Sequence, residues 1–362
     1  MQRIKLGAQD GLHGIFHHLD ALQKWESGQD FPPLWVEISP TDACNHRCFF
    51  CYLNQVEHKS AQIPESLLIK ISRDMGASGV KCCEFQGTGE PLLNEGTPNA
   101  IVAGKRSGMD ICLVTNGVLL NRDILEKVEP CLSFLRVSAL AHNAQFYARL
   151  HGCPMADFGL VVKALEEAAR IRDRQKLAVV IVATFITFNF NTPYIADTAR
   201  LLKDIGVDLM SVKPAVNIGH NQSWERDSLH RKHKDKFTEA KAIQDERFKI
   251  FLNEGYLDEF MSVEPPPRNY RMCYGVEFET HIGANAKIYP CARFWGNERY
   301  CLGDLSEGAF GKVWRSAQWH KVLSQFYNEI RVDECGYFCC KQHSINRYLY
   351  EMANPQRHVN VI

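Results

Sequence analysis

The sequence predicts an α/β fold built on a parallel sheet. Two observations carry this: β-rich runs alternate with helical segments six times over about residues 34–215, and the first run leads directly into a loop bearing three cysteines. Parallel neighbours cannot be joined by a tight turn and need a crossover, usually a helix, which is the order seen here. Such a pattern fits an open doubly wound sheet or a partial barrel, and both keep their chemistry in loops at the C-terminal ends of the strands. The chain, 362 residues and 41.3 kDa, is long enough for one large unit and one small one.

Residues 1–33 read as a capping segment. Phe16, Leu22 and Trp25 are helically spaced, the segment stops at Gly28 and Pro32-Pro33, and His17 and His18 suit surface or interface positions. Residues 34–38 form the first strand. Helix 64–77 then leads to strand 80–85, a helix near 95–107 to strand 111–114, and a helix near 120–129 to strand 134–138. A long helix over about 157–173 precedes the β-branched run 177–185, and helix 193–204 ends at Gly206 before strand 209–212. Residues 225–250, from Arg226 to Lys249, are crowded with charge and read as a solvated helix. The Pro265-Pro266-Pro267 run can be neither regular helix nor central strand. Domain boundaries follow: a capping segment 1–33, a main unit 34–225, a linker 226–268, a cysteine-bearing module 269–345 and a tail 346–362.

The formal net charge is zero and the pI about 7.2, so the broad basic footprint of a nucleic-acid binder is missing. No apolar run reaches membrane-spanning length, and the first residues are polar where a secretion signal would be apolar. A cytoplasmic protein is expected. Fourteen cysteines in such a chain favour metal or redox use over disulfides.

The loop Ser39–Asn54 spaces Cys44, Cys48 and Cys51 as C-x3-C-x2-C. Cluster sites held by cysteine alone use four thiolates, so three close thiolates suggest a [4Fe–4S] cluster with one iron open to another ligand. An open metal position implies chemistry. Zinc with a missing fourth ligand, or chance clustering, are the alternatives. His46 has the right donor type for zinc but lies between two cysteines, where short zinc motifs rarely place it. The loop resembles the signature of the radical S-adenosylmethionine (SAM) superfamily, including Asn45 and the aromatic Phe50. The resemblance implies a partial (β/α)6 TIM-type barrel over roughly residues 34–215. It also implies that SAM chelates the open iron and is cleaved by an electron from the cluster to a 5′-deoxyadenosyl radical.

Gln86-Gly87-Thr88-Gly89-Glu90-Pro91, after the second strand, is by itself an ordinary glycine turn with a carboxylate that suits an ammonium group. It resembles the family's G-G-E-P segment, which binds the SAM amino group, with Thr88 between the glycines. Thr115-Asn116-Gly117, Ser138 and Arg149 are similar to further SAM contacts, although a helix cap and a surface ion pair explain the last two equally well. Leu140 stands where relatives often carry an aspartate, with His142 close behind, which leaves the ribose contact open. His142, Lys213 and Arg293 are candidate catalytic residues by position.

Towards the C-terminus Cys273, Cys291, Cys335 and Cys339 read C-x17-C-x43-C-x3-C, with Cys301 and Cys340 as alternative ligands. A hairpin turning at 283–285 lies between the first pair, and a helix over about 309–326 separates the two pairs. The set resembles the "twitch" module, a shortened SPASM domain holding one auxiliary [4Fe–4S] cluster; structural zinc fits the same donors. Cys82, Cys83, Cys112, Cys131 and Cys153 read as packed thiols.

These features together imply two [4Fe–4S] clusters, SAM, and a reducing partner such as flavodoxin or ferredoxin. They imply an oxidoreductase that dehydrogenates a secondary alcohol of a small polar molecule such as a sugar, aminocyclitol or nucleotide sugar, with the auxiliary cluster accepting the electron. No membrane or nucleic-acid partner is expected. Alternatives are a peptide maturase, for which 33 residues ahead of the first strand are few for a leader-binding domain; an epimerase with Cys153 or Cys340 as hydrogen donor; and a non-catalytic iron–sulfur carrier.

Overall fold

A computed structural model describes residues 12–51, 61–138, 141–214, 233–252, 268–332, 335 and 342–355. Two short helices, α1 (Leu12–Ile15) and α2 (Leu19–Glu26), precede β1 (Trp35–Ile38). There follow α3 (Glu65–Ala77), β2 (Cys82–Phe85), α4 (Thr97–Arg106), β3 (Asp110–Thr115), α5 (Arg122–Val128) and β4 (Phe134–Val137). Next come α6 (Ala144–His151), α7 (Ala156–Gln175), β5 (Val180–Thr187), α8 (Ile195–Ile205) and β6 (Leu209–Pro214). The remainder is α9 (Lys234–Lys241), β7 (Lys249–Leu252), β8 (Glu279–Ile282), β9 (Lys287–Tyr289), β10 (Gly303–Asp304), α10 (Phe310–Val313), α11 (Ala317–Glu329) and α12 (His343–Ala353).

All ten strands share one sheet, ordered β10-β9-β8-β1-β2-β3-β4-β5-β6-β7. From β8 to β7 every neighbouring pair is parallel, and β8-β9 and β9-β10 are antiparallel. This is the partial TIM-type α/β barrel that the resemblance implies. The register sorts its two faces, because paired residues of parallel strands point the same way. On one face Val36, Ile38, Phe85, Leu113, Leu135, Ile181 and Met210 pack into the main core with Leu68, Ile71 and Met75 of α3 and Val161 and Leu165 of α7. Those helix residues recur at the helical period, so each helix lays an apolar stripe on the sheet.

The other face lines the lumen and is mostly polar. Glu37, Glu84, Arg136, Thr184, Ser211, Lys213, Glu279 and His281 occupy it, set there by the pairings Glu37↔Glu84, Glu37↔His281 and Thr184↔Ser211. A smaller apolar cluster of Phe134, Val180, Val182, Leu209 and Phe251 fills its lower part, at the N-terminal ends of β4 to β6.

Three elements differ from expectation. Among the described residues of the charged run α9 is helical, and Lys249–Leu252 is a seventh parallel strand beside β6. Lysine and arginine dominate the local pattern and hide a short strand that burial of Ile250 on β6 stabilises. The hairpin around Gly283 continues the barrel sheet, since β8 pairs with β1 from Trp35↔Glu279 to Ile38↔Ile282. The tail expected from residue 346 is helical through Ala353: α12 buries Ile345 and Leu349 against Ile15, Leu22, Phe31 and Phe278. The capping helix and the last helix therefore cover one another. The proline run, Arg226 and Leu140 lie outside the described residues. Among the described residues no helix is long and apolar enough to cross a membrane.

Candidate metal centre

The loop after β1 is held from two sides. On one, it lies against the turn after β2: the Glu90 amide donates to the Ala43 carbonyl at 2.8 Å, and the Thr88 amide to Ser39 Oγ at 3.1 Å. Thr88 Oγ1 also donates to Asp42 Oδ1. A Cβ at Gly87, where φ is +142°, would meet Ser39 Cβ at 2.3 Å, and one at Gly89 would meet the Ala43 oxygen at 2.2 Å. Both glycines are thus required by contact with the cysteine loop itself. On the other side the Arg47 amide donates to the His151 carbonyl at 2.9 Å, at the end of α6.

The sequence reading missed α6, although Asn143 caps it through the Phe146 amide and Gly152 ends it in the left-handed region. Asparagine and glycine at that spacing were the available signal.

Cys44, Cys48 and Cys51 are half-buried. Burial first, and then the neighbouring Cys51 and Cys44, push the Cys48 thiol far above its ordinary range; burial chiefly raises Cys44 as well. Thiols near enough to oppose one another's ionisation fit a shared metal centre, whose positive charge would reverse that opposition and release protons on binding. His151 Nδ1 lies 3.3 Å from Cys48 Sγ, and the ring stacks on Tyr147 with centroids 4.2 Å apart. His46 Nε2 is 3.1 Å from Asp157 Oδ2, and a ring nitrogen of His46 lies within 4.8 Å of Cys48 Sγ, so the carboxylate orients the histidine beside the thiols. Phe50 stands edge-on to His151 at 5.5 Å.

Glu90 is buried at the junction. Its Oε1 accepts from Thr115 Oγ1 at 2.6 Å and from the Leu92 amide at 3.1 Å, and its Oε2 from the Asn116 amide at 2.7 Å. Burial raises its pKa and these three donors oppose the rise. Asn116 Nδ2 donates to Asn45 Oδ1 at 2.6 Å, and Tyr147 Oη to the Asn116 carbonyl at 3.3 Å. The expected segments Gly87–Glu90, Asn116 and the cysteine loop are therefore one hydrogen-bonded unit.

The remaining expected residues are dispersed. Ser138 follows β4, and its amide donates to the Thr115 carbonyl at 2.9 Å. Arg149 is exposed on α6 and places its guanidinium 4.2 Å above the Phe190 ring. His142 stacks on Tyr194 at 4.6 Å, and burial lowers its pKa. Lys213 is exposed at the end of β6, and Arg293 Nη1 lies 3.4 Å from Cys335 Sγ.

Of the C-terminal cysteines, Cys273 donates to Gln342 Oε1 at 3.1 Å and accepts from Asn346 Nδ2 at 3.3 Å; Cys291 caps a 3-10 turn over Ala292–Phe294. Cys301 and Cys51 both pack on the Tyr289–Trp295 pair, which joins the two cysteine regions physically. Cys339 and Cys340 lie outside the described residues. Every described cysteine is a free thiol. Cys83 and Cys112 are buried and Cys82, Cys131 and Cys153 partly so, with Cys82 and Cys112 Sγ atoms 3.9 Å apart on the lumen face.

Residues 38–202 match the model of the radical SAM superfamily. A GTP 3′,8-cyclase of Chlorobaculum tepidum is 34% identical over 29% of this chain and 32% of its own length. A second one, from Aquifex aeolicus, is 29% identical over 52% and 59%. The chain thus spans about a third to three fifths of these two relatives. A "tungsten-containing aldehyde ferredoxin oxidoreductase cofactor-modifying protein" of Pyrococcus furiosus is 24% identical over 84% of this chain and 86% of that one. Among solved structures, SuiB of Streptococcus suis superposes with TM-score 0.63 at 16% identity, covering 85% of this chain and 71% of its own. The anSMEcpe structure with bound AdoMet gives 0.56 at 15%, covering 82% and 84%.

Proposed function

We propose that this chain, which belongs to the radical SAM superfamily through residues 38–202, is an oxidoreductase of that family that dehydrogenates a hydroxyl-bearing carbon of a small polar substrate. The family's cofactors, a [4Fe–4S] cluster and SAM, fit the loop at the end of β1. When bound they supply a 5′-deoxyadenosyl radical that takes a hydrogen atom from the substrate. Cys44, Cys48 and Cys51 hold three irons. Gly87, Thr88, Gly89, Glu90 and Asn116 form the shelf for the SAM amino end, with Phe50, Ser138 and Arg149 around it. Oxidation of an alcohol removes a second hydrogen as a proton and an electron. His142 or Lys213 would take the proton, and Cys273, Cys291, Cys335 and Cys339, or one of the spares Cys301 and Cys340, would hold an auxiliary cluster able to accept the electron, with Arg293 beside Cys335. Flavodoxin or ferredoxin, in the cytoplasm, supplies the electron that starts each turnover.

The observation that supports this reading is the β8-β1 pairing together with the Tyr289–Trp295 pair, on which Cys51 of the first set and Cys301, a spare of the second, both pack. A nucleoside triphosphate, as the names of the cyclase relatives suggest, fits less well. Glu37 and Glu279 are buried carboxylates on β1 and β8 and disfavour a phosphate beside them, while Glu84 on β2 is paired with Arg136 at 3.4 Å. A peptide substrate is the second reading, favoured by SuiB bound to its precursor peptide SuiA, which superposes over 86% of this chain.

The test is anaerobic turnover of a panel of amino and hydroxy sugars, sugar nucleotides and peptides, following 5′-deoxyadenosine together with product mass. Loss of two hydrogens from a sugar carbon supports dehydrogenation. An unchanged carbon oxidation state would rule it out, and a modified peptide would install the second reading.

A further inference from the structure

The geometry points to a divalent-cation site at the seam between barrel and C-terminal module, formed by Glu37 of β1 and Glu279 and His281 of β8. The parallel register places all three side chains on the lumen face, with Glu37 directly opposite His281. One ligand atom from each lies within 4.8 Å of the other two. The residues are 1%, 8% and 4% exposed, so the group is held within the wall of the barrel.

The imidazole is not hydrogen-bonded to either carboxylate. His281 Nδ1 is 3.7 Å from Glu37 Oε1, and His281 Nε2 is 3.8 Å from Glu279 Oε1. Both exceed the roughly 2.7–3.2 Å of an N–H···O bond, and His281 Nδ1 has no hydrogen-bond partner among the described residues. Metal–ligand bonds of about 2.0–2.2 Å put adjacent ligands about 3–3.5 Å apart. A single imidazole nitrogen has a carboxylate oxygen of each glutamate within 4.8 Å, so a closure of about 1–2 Å brings one imidazole nitrogen and two carboxylate oxygens to ligand spacing.

Two oxygens and one imidazole nitrogen suit Mn2+, Fe2+ or Zn2+; Mg2+ and Ca2+ prefer oxygen alone. Trp295 stands edge-on to His281 at 5.6 Å and shields it. The group contains no thiol, which separates it chemically from both cysteine sets. It also has a structural consequence. The cation ties β1, which leads into Cys44, to β8, which leads through the hairpin to Cys291, and so fixes one cysteine set against the other.

The experiment titrates Mn2+, which avoids thiolates, into the full-length, anaerobically reconstituted protein and measures free aqua-Mn2+ by electron paramagnetic resonance. One saturable Mn2+ per chain is expected. Glu37→Gln and His281→Asn should each weaken it by at least about 10–100-fold with iron content unchanged, and Cys273→Ala should leave it intact. If the variants lose iron, Co2+ uptake by the wild-type chain decides: weak ligand-field bands without thiolate charge transfer support the site, and uptake with a thiolate band alone overturns it. Absence of saturable Mn2+ binding, as a protonated amine in the same place would give, or binding unaltered in both variants, also overturns it.

Discussion

The two cysteine regions are built on opposite principles. Cys44, Cys48 and Cys51 come from a single short loop clamped by backbone contacts to the Gly87–Glu90 turn and to the end of α6. Cys273, Cys291 and Cys335 come from separate segments and are steadied by side chains: Gln342 and Asn346 at Cys273, and Arg293 at Cys335. A site made by one loop needs only local order to bring its ligands together. One made by distant segments needs the whole module docked first. The first should therefore form with the barrel alone, and the second should be the more easily lost.

The largest effect tests that the sites are separate. Replacing Cys44, Cys48 and Cys51 with alanine should lower iron from about eight to about four per chain and abolish SAM cleavage, as iron and sulfide analysis with a 5′-deoxyadenosine assay would show. Loss of all iron would mean that the second site depends on the first. Replacing Cys273 and Cys291 should also remove about four irons while SAM cleavage persists and substrate oxidation stops.

Backbone packing comes next. Gly89→Ala sets a Cβ 2.2 Å from the Ala43 carbonyl, and Gly275→Ala sets one 2.8 Å from Gln342 Cβ. Each should cost roughly 1–3 kcal/mol of stability, read by thermal unfolding. The first should deplete iron at the barrel loop, and the second should displace Gln342 from Cys273 and deplete it at the C-terminal set. Equal depletion of both sites by either substitution would break the contrast.

A pH measurement sharpens it from outside both sites. Glu129 follows α5, and burial pushes its pKa up to about 8 against the opposing Arg172. The folded state thus holds this proton more tightly than the unfolded chain, whose glutamate titrates near 4.5. Its contribution is present in full below that value and declines as pH rises through about 8. Barrel stability should fall by roughly 2–4 kcal/mol over that range, and Glu129→Gln should flatten the profile without changing iron content. The smallest effect is expected from Arg293→Gln, which removes a guanidinium 3.4 Å from Cys335 Sγ. It should shift the reduction potential of the C-terminal site alone and leave the first one unmoved.

Legibility in the sequence followed the same division. The three cysteines stood out by their spacing, and Gly87, Gly89 and Glu90 by the resemblance of their turn; local chain geometry keeps each group together. Most crossover helices were legible from their apolar period. The seventh strand was not, because its pairing with β6 outweighs a charged local sequence. Nor was α12, whose few apolar residues gain their meaning from α1 and α2 at the far end of the chain.

By itself the sequence determined the C-x3-C-x2-C spacing of the first loop, the alternating α/β order and the positions of the C-terminal cysteines. These depend on residues close together along the chain, where bond geometry leaves few conformations. Only the tertiary structure decided that β8 extends the barrel beside β1 and that Glu37 meets Glu279 and His281. It also decided that Trp295 stands between Cys51 and His281. The pairings of β1 with β8, of Glu37 with His281 and of Cys51 with Trp295 join residues more than two hundred positions apart. Strand pairing is set by which edges remain open once the core has packed, and no local pattern records that choice.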